Sequence, residues 1–342
     1  MSRKVITFVI GIISVSIAFL GLYFYNLFFS SNTNFEGDNV EIKIPRNSSY
    51  DDVLDLLKRD NFLSSTTSFD KLAEIMSYKK EVVPAGRYLI KKGSSNRKIL
   101  SKLRSGNQDA VKVTINNVRT LEDLSSTFTR YLDLDSLELL SFFKDSLTQN
   151  QYAKTNETFM TLFLPDTYEM FWTVSKENLL SKMTDHSNSF WKKNEDKLKN
   201  LRMSSNEVYT LASIVEKESN LVEEKATVAG VYLNRIKTGM KLQADPTVVF
   251  ALQDFALRRV LLKHLEYDSP YNTYMYTGLP PGPICMPSMS SINASLNPEN
   301  HEYIFFCAKP GYNSGHNFAV SLPEHSRNAV IYQKWLSSEG IK

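Results

Sequence analysis

The apolar positions of the first thirty residues form one continuous stretch, unlike those of the rest of the chain. Val5–Phe29 is 25 residues long and contains no charged side chain. At a helical rise of about 1.5 Å per residue it covers roughly 37 Å, enough to cross a bilayer with some tilt. Arg3 and Lys4 precede it, so the positive-inside bias predicts a cytoplasmic N-terminus and an exported remainder.

A cleaved signal peptide is the competing interpretation of this stretch. The apolar core of such a peptide usually has about 7–15 residues and is followed by a small-x-small cleavage site. The stretch here is longer, and no such site follows it. We therefore expect residues 1–30 to form a cytoplasmic tip and a retained transmembrane helix. The polar residues 31–38 are expected to form a linker.

Residues 39–115 mix the periods of strands and helices. Apolar and polar positions alternate in three short segments, and three segments between them have helical spacing. The expected elements are a strand at Val40–Ile44, a helix starting near Ser48–Asp52, a helix around Phe69–Met76, a strand at Gly86–Ile90, a short helix around Ile99–Leu103 and a strand at Val111–Ile115. This order predicts a small α+β unit of the strand–helix–helix–strand kind.

Residues 116–342 have a mainly helical pattern that changes near the C-terminus. The predicted helices are Thr120–Leu132, Ser136–Leu147, Glu177–Lys199, Ser205–Glu218 and Glu223–Ile236. Two strands are predicted at Tyr303–Ala308 and around Asn317–Val320. A capping box at Ser321–Glu324 then predicts the start of a last helix. We expect one mainly helical domain with a few C-terminal strands, so that the whole chain is α+β.

Composition and absent motifs exclude several function classes. Lys and Arg number 40 and Asp and Glu 37, so the net charge of +3 gives no reason to expect a nucleic-acid partner. Five scattered histidines and two cysteines predict no metal site and no cofactor. H-E-x-x-H, G-x-S-x-G, the nucleotide-binding P-loop and C-x-x-C are all missing. A bond between Cys285 and Cys307 is allowed in an exported chain, and the sequence leaves it open.

The predicted helix at 205–218 places a carboxylate among apolar side chains. Ser204 and Glu207 form a capping box at its start. At 100° per residue, Val208, Leu211, Ile214 and Val215 form one apolar stripe, and Glu218 falls within it. Glu216 lies about 160° away on the same helix. We therefore expect Glu218 to face the core or a cleft and Glu216 to face outward.

A carboxyl group at the end of an apolar stripe is suited to acid catalysis. Loss of water raises its pKa, so the group stays protonated closer to neutral pH and can protonate a leaving oxygen. The alternative is that the helix merely ends there and Glu218 reaches water or a structural arginine. The helix alone does not decide between these interpretations.

Three further segments carry candidate site residues. Asp245 precedes Pro246 and is predicted to be the N-cap of another helix, a structural role. The stretch from 269 to 284 is rich in aromatic residues and proline, which suits a rigid wall on which sugar rings stack. His316 is a lone histidine, and such residues are more often structural than catalytic.

The order of these segments closely resembles the YceG-like family of endolytic murein transglycosylases. The segments that carry the resemblance are Ile214-Val-Glu-Lys-Glu-Ser219, Val231-Tyr-Leu-Asn-Arg235, Gly239-Met-Lys-Leu-Gln-Ala-Asp-Pro-Thr-Val248, Ser269-Pro-Tyr-Asn-Thr-Tyr274, Gly278-Leu-Pro-Pro-Gly-Pro-Ile284 and His316-Asn-Phe318. The resemblance covers most of residues 205–335. Four positions depart from the family's common residues, namely Ala244, Phe250, Met286 and Ser288.

The resemblance implies a catalytic residue, because the second glutamate of the family's E-K-E motif corresponds to Glu218. It implies cleavage between N-acetylmuramic acid and N-acetylglucosamine in peptidoglycan, with formation of a 1,6-anhydro end. The residues expected to bind the substrate are Asn234, Gln243, Asp245, Tyr271, Asn272, Tyr274 and His316.

The resemblance also implies a topology. We expect a single-pass protein of the bacterial inner membrane, with a LysM-like subdomain at 39–115 and a periplasmic or extracytoplasmic catalytic domain at 116–342. Peptidoglycan synthases are possible partners in ending strand elongation. Two other functions remain open: a hydrolytic muramidase using Glu218 and Asp245, and a non-catalytic scaffold that binds peptidoglycan.

Overall fold

Residues 3–311 and 315–340 of the computed structural model are described, and within them the chain forms fifteen α-helices and six β-strands. The strands are β1 (Asn39–Ile44), β2 (Gly86–Lys91), β3 (Ala110–Ile115), β4 (Asp166–Phe171), β5 (Phe305–Ala308) and β6 (His316–Ala319). The helices are α1 (Arg3–Phe29), α2 (Tyr50–Arg59), α3 (Thr66–Ile75), α4 (Asn96–Ser105), α5 (Leu121–Thr129), α6 (Ser136–Lys144), α7 (Ser146–Gln151), α8 (Lys176–Lys193), α9 (Glu195–Leu201), α10 (Ser205–Glu218), α11 (Lys225–Lys237), α12 (Asp245–Leu252), α13 (Leu262–Leu265), α14 (Met289–Leu296) and α15 (Leu322–Ser338). The fold is therefore a mixture of helix and strand in which helix predominates.

The chain divides into two units, and the first contains Met1–Val113, Tyr131–Asp133 and Glu169–Val174. In it β1 pairs antiparallel with β2, and α2 and α3 connect these strands. The predicted strand–helix–helix–strand order is confirmed, whereas the LysM-like character of residues 39–115 stays a prediction. Ser49 and Asp52 form the capping box that starts α2.

The apolar helix α1 is long and apolar enough to cross a membrane, judged by length and composition, and it alone among the described helices meets this test. Its C-terminal turn belongs to the first unit, because Leu27 is buried with the core residues of that unit. The side-chain amide of Asn96 on α4 donates a hydrogen bond to the carbonyl oxygen of Leu27 at 3.3 Å. This end of the helix is therefore packed against the folded unit, which begins directly after it.

The second unit contains Thr114–Arg130, Leu134–Tyr168 and Ser175–Lys342. Its core surrounds α10, which packs against α11, α12 and α14. The strands β5 and β6 pair antiparallel, and α15 packs against them. The predicted N-cap of α15 is confirmed, since the Ser321 hydroxyl accepts from the backbone N–H of Glu324 at 3.4 Å. The predicted capping box is incomplete, because the Glu324 carboxylate accepts from the N–H of Val320 and not from that of Ser321. The thiols of Cys285 and Cys307 are both free.

Two predicted long helices are wrong, because the structure breaks each into two. The predicted 136–147 helix stops at Asp145, which has an extended backbone and caps α7 by accepting from the N–H of Thr148 at 2.8 Å. The predicted 177–199 helix stops at Asn194, between α8 and α9. The side chains of Asp and Asn form hydrogen bonds with nearby backbone groups, which favours the end of a helix. The apolar spacing continues past both residues, so the pattern alone does not show that the helix ends there.

Strand β4 and helix α14 were not predicted. In β4 the side chains of Tyr168 and Met170 are buried and alternate with exposed neighbours, which is the ordinary strand pattern. The serine-rich α14 begins at the N-cap Ser288 and has few strong helix formers. It is stable because it packs against α10 and α11, and this packing does not show in the local sequence.

Candidate active site

The helix α10 holds the predicted catalytic glutamate at its C-terminal end. The capping box at its start is present: the Glu207 carboxylate accepts from the N–H of Ser204 at 2.7 Å, and the Ser204 hydroxyl accepts from the N–H of Glu207 at 3.3 Å. Residues 208–215 are all buried, so the helix is packed around its whole circumference. Glu218 is its last residue, and the backbone becomes extended at Ser219. The predicted bounds of this helix are confirmed.

Glu218 is half-buried and receives one hydrogen bond. The phenol of Tyr232, a residue of α11 with 1% exposure, donates to the Glu218 Oε1 at 2.8 Å. The ring of Tyr232 stands edge-on to Phe306 of β5 at a centroid distance of 5.9 Å. Within the described part of the chain, the Glu218 Oε2 has no hydrogen-bond partner, so this oxygen is the one available to a ligand.

The environment of Glu218 favours its protonated form. Burial raises the pKa of Glu218 to about 7, and the negative charge of Asp245 acts in the same direction. The Tyr232 hydrogen bond and the positive charge of Arg235 oppose this rise. The C-terminal end of α10 carries partial negative charge, which also disfavours a carboxylate there. A carboxyl group with a pKa near 7 is able to donate a proton at neutral pH and to accept it back.

Glu216, two residues earlier on α10, has the opposite environment. Its carboxylate accepts hydrogen bonds from the hydroxyls of Ser288 and Ser291 at 2.5 Å each and lies 2.9 Å from the ammonium of Lys225. Burial alone would raise the pKa of Glu216, but these three donors outweigh it and lower the pKa. The expectation that Glu216 faces outward is wrong. The helix α14 and the start of α11 cover that face of α10 and supply polar partners.

Arg235 lies one helical turn after Tyr232 on α11 and fixes the chain around the site. It is 7% exposed, and its Nε donates to the carbonyl of Ile304 at 2.6 Å while Nη1 donates to the carbonyl of Leu242 at 2.7 Å. Its guanidinium lies 5.4 Å from the ring centroid of Phe305. Arg235 therefore connects α11 to β5 and to the segment before α12, and it places a positive charge near Glu218.

Asp245 is the first residue of α12, and the prediction that it is the N-cap is wrong. Ala244 occupies the cap position, and its side chain makes no capping hydrogen bond. The Asp245 carboxylate instead accepts a hydrogen bond from the phenol of Tyr274 at 2.6 Å. Because Pro246 removes one of the N–H groups that a cap would satisfy, the aspartate is free to pair with tyrosine. The structure thus brings Asp245 and Tyr274 together near Glu218.

Tyr271 and Asn272 lie in the segment rich in aromatic residues and proline, whose role as a wall for sugar rings stays a prediction. The rings of Tyr271 and Phe250 lie 4.7 Å apart between centroids, and both line a cavity of about 290 Å³. Asn272 is fully buried, and its amide donates to the carbonyls of Leu265 and Tyr267 at 2.9 and 2.8 Å. Asn272 therefore holds the loop in shape, and its contact with a glycan stays a prediction.

The other three predicted substrate-binding residues lie in different surroundings. The Gln243 side chain is exposed and its carbonyl oxygen is 3.5 Å from the Arg235 Nη1. The Asn234 amide donates to two backbone carbonyls, those of residues 301 and 303, at 2.7 and 3.1 Å. The His316 Nδ1 lies 2.9 Å from a carboxylate oxygen of Glu224. The contacts of these three residues with a glycan stay predictions.

Tyr232 and Arg235 are site residues that the sequence analysis missed. Both lie in the segment Val231–Arg235, from which the prediction selected Asn234. Their spacing of three residues puts them on one face of α11, and that face meets the end of α10. This spacing would have identified both residues if α10 and α11 had been predicted to pack against each other. In residues 3–311 and 315–340, no three His, Cys, Asp or Glu side chains are grouped closely enough to hold a metal ion.

Comparisons with known proteins agree with the motifs that surround Glu218. The model of the YceG-like family matches residues 42–330. An endolytic murein transglycosylase of Bacillus subtilis is 31% identical over 319 residues, which are 89% of this chain and 86% of that protein. An endolytic murein transglycosylase of Streptococcus pneumoniae is 25% identical over 329 residues, 85% of this chain and 58% of that protein. A crystal structure of a yceG-like protein from Listeria monocytogenes has a TM-score of 0.59 and 28% identity, covering 85% of this chain and 98% of that one.

Proposed function

The chain belongs to the YceG-like family, and from this premise we propose that it cleaves the β-1,4 bond between N-acetylmuramic acid and N-acetylglucosamine within peptidoglycan strands. Its enzyme class is that of its relatives, which are named endolytic murein transglycosylases. It is thus a lytic transglycosylase that acts on peptidoglycan. The observation that carries the proposed reaction is the half-buried carboxyl group of Glu218, with a pKa of about 7 and an Oε2 that has no hydrogen-bond partner among the described residues.

The proposed reaction uses Glu218 twice. Its protonated carboxyl group donates to the glycosidic oxygen as the bond to the muramoyl C1 breaks, and positive charge develops on that sugar. The muramoyl C6 hydroxyl attacks C1 of the same ring and returns its proton to the Glu218 carboxylate. One C–O bond breaks and one forms, no water is consumed, and the new end is a 1,6-anhydro ring. An intramolecular nucleophile has a high effective concentration, so a second catalytic carboxylate is not required.

Tyr232 and Asp245 are proposed to tune this carboxyl group. The Tyr232 phenol fixes the position of Oε1, and Oε2 carries the exchanged proton. The negative charge of Asp245 raises the pKa of Glu218. The same charge would stabilise the oxocarbenium-like muramoyl centre as it forms. The rings of Tyr271 and Phe250 provide an apolar surface for sugar stacking beside the site.

A hydrolytic muramidase is the second candidate, and one observation favours it. Asp245 does not cap α12, and its charge raises the pKa of Glu218, so the two carboxyl groups could act as a pair. Mass spectrometry of digested glycan strands separates the two reactions. Anhydro ends support the lyase, whereas reducing ends, heavier by one water, would show that the enzyme is a hydrolase.

The third candidate is a scaffold that binds peptidoglycan without cleaving it. The same experiment tests this candidate when the Glu218→Gln variant is compared with the wild type. The substitution keeps the size of the side chain and its acceptor oxygen but cannot donate the catalytic proton. We expect wild type to produce anhydro ends and Glu218→Gln to produce almost none. Strand binding without cleavage by the wild type would favour the scaffold.

We further propose that α1 anchors the enzyme in the bacterial inner membrane, with Arg3 and Lys4 on the cytoplasmic side and the two folded units outside the cytoplasm. Such an anchor would keep the site near newly made strands, where cleavage ends their elongation beside a synthase. Protease treatment of intact spheroplasts tests the orientation. The second unit should be degraded without lysis, and its protection would contradict this topology.

A further inference from the structure

Four cations surround a cavity of about 450 Å³ in the second unit. We call it the cationic cavity, and its charged lining residues are Arg119, Lys217, Arg258, Arg259 and Asp245. Its apolar lining includes Pro246 and Val249 of α12 and Phe250, which also lines the smaller cavity with Tyr271. A volume of this size lies within the range of small-ligand sites.

The positive side chains that line this cavity outnumber the negative ones by four to one. Within the described residues, none of the four cations forms a salt bridge, whereas Glu216, next to Lys217 on α10, pairs with Lys225. Arg119 and Lys217 are half-buried, and the Arg119 guanidinium lies 4.4 Å from the ring centroid of Phe255. The one carboxylate in the cavity, Asp245, already accepts from Tyr274. Because clustered like charges repel, an unpaired group of four indicates a site for an anionic ligand.

The cationic cavity is next to the proposed catalytic carboxyl group. Lys217 directly precedes Glu218 on α10, and Asp245 lies close enough to raise the pKa of Glu218. A sugar whose glycosidic oxygen reaches Glu218 would therefore carry its substituents into or beside this cavity. Arginine is well suited to such substituents when they are carboxylates, because its planar guanidinium binds them with two parallel hydrogen bonds.

We propose that the cationic cavity binds the carboxylates carried on the lactyl arm of the muramoyl residue at the cleaved bond. This proposal rests on the proposed function, because it takes the substrate to be peptidoglycan. The sugar backbone of peptidoglycan is uncharged, so the anionic groups available near the cleaved bond are on that arm. They come from two sources: the carboxylates of an attached stem peptide, or the free lactyl carboxylate that remains when the peptide has been removed.

The test compares two matched pairs of substitutions in full-length protein. Arg258→Gln with Arg259→Gln removes two exposed charges from the cavity, and Lys192→Gln with Lys193→Gln removes two exposed charges from the end of α8. Each form is assayed on native strands, on strands stripped of peptides by an amidase, and on native strands whose carboxylates have been converted to neutral amides. The kcat/KM of anhydro-end formation is measured on all three.

We expect the arginine pair to lower kcat/KM by about 3- to 30-fold on carboxylate-bearing strands, as for the loss of two partly exposed ion pairs. The lysine pair should change it less than twofold. On amidated strands the arginine pair should match the wild type. A deficit confined to native strands assigns the site to stem-peptide carboxylates, and one that persists on stripped strands assigns it to the lactyl carboxylate. An equal deficit on amidated strands, or no deficit on any strand, would overturn the proposal.

Binding separates the failure of this proposal from failure of the proposed function. If the wild type forms no anhydro ends, the proposed reaction fails, but the cavity is still testable by the dissociation constant of strands for Glu218→Gln protein. That protein should bind carboxylate-bearing strands more weakly when the two cavity arginines are replaced, with the same 3- to 30-fold change. Unchanged binding together with normal wild-type cleavage would reject the cavity alone.

Discussion

The surroundings of two glutamates near the C-terminal end of α10 shift the pKa values of their carboxyl groups in opposite directions. Glu216 lies in a polar pocket where two serine hydroxyls and Lys225 bond to its carboxylate, and its pKa is lowered. Glu218, two residues later, is half-buried and accepts a hydrogen bond from Tyr232, and its pKa is raised to about 7. Burial raises the pKa of both carboxyl groups, and hydrogen bonds and ion pairing outweigh it only at Glu216. The number of donors decides which carboxylate stays ionised as an anchor and which can carry a proton.

The largest effect expected from this comparison is the loss of activity on replacing Glu218 with Gln. Removal of a general acid and base should lower kcat by about 10³-fold, while the folded structure remains. The rate of strand cleavage gives kcat, and the midpoint and slope of urea unfolding show whether the variant is folded. Activity within tenfold of wild type in a folded variant would contradict the assignment of Glu218.

The next effect is on stability, and it belongs to Glu216. Glu216→Ala leaves the ammonium of Lys225, whose side chain is 5% exposed, without its ion-pair partner. The free energy of unfolding should fall by about 3 kcal/mol. Glu195→Ala is the matched control, because its ion pair with Lys199 at 2.8 Å is exposed on one helix face and should contribute little. If Glu216→Ala and Glu195→Ala lowered the free energy of unfolding equally, the ion pair of Glu216 would contribute no more than a surface ion pair, and this prediction would be wrong.

The pH dependence of stability should separate the two carboxylates by sign. The Glu218 pKa is higher in the folded state, about 7 against 4.5, so the folded state binds more protons between these values. The Glu218 carboxyl group therefore contributes fully to the free energy of unfolding below pH 4.5, and this contribution is lost as the pH rises through 7. The loss should be on the order of 2 kcal/mol and should be absent in Glu218→Gln. Urea unfolding at pH 5 and pH 8 measures it.

Glu216 should act in the opposite direction in the same experiment. Its pKa is lowered on folding, so its contribution is present above pH 4.5 and is lost as the pH falls through the lower folded value. Wild type and Glu216→Gln should therefore converge in stability in acid. Convergence at alkaline pH instead would mean that the sign of the Glu216 pKa shift is wrong.

The smallest effect expected is that of Tyr232→Phe, which removes the one donor to Glu218. Without this hydrogen bond the Glu218 pKa should rise, because the Tyr232 bond favours the ionised form. The pH–rate profile should move to higher pH with a change in kcat of only about threefold to tenfold. Tyr271→Phe is the control, since Tyr271 makes no hydrogen bond to Glu218. A profile shifted to lower pH would contradict the role of Tyr232.

The sequence predicted the bounds of α10 and the inward orientation of Glu218 correctly because both depend on local signals. A capping box marks the start of the helix, and an apolar stripe with period 3.6 orients its last residue. The same wheel failed for Glu216, because it assumes that a helix has a solvent face. The donors that cover Glu216 lie 9 to 75 residues away in sequence, on α11 and at the start of α14. Their positions depend on tertiary packing.

The partners of Glu218 were missed for the same reason. Tyr232 is 14 residues from Glu218, and its hydrogen bond exists because α10 and α11 are neighbours. Asp245 shows the reverse error, since Asp before Pro is a common N-cap pattern. In the structure Tyr274 takes that carboxylate instead, and Ala244 stands at the cap. A local rule was overridden by one side-chain contact between separate segments.

The contrast between the two glutamates is tested most directly by titrating both carboxyl groups. Carbon-detected NMR of protein with ¹³C-labelled glutamate side chains, assigned with Glu216→Gln and Glu218→Gln, gives the two pKa values in one experiment. The structure predicts a value of about 7 for Glu218 and a value below 4.5 for Glu216. A Glu218 carboxyl group that titrates at or below 4.5 would contradict its role as the proton donor.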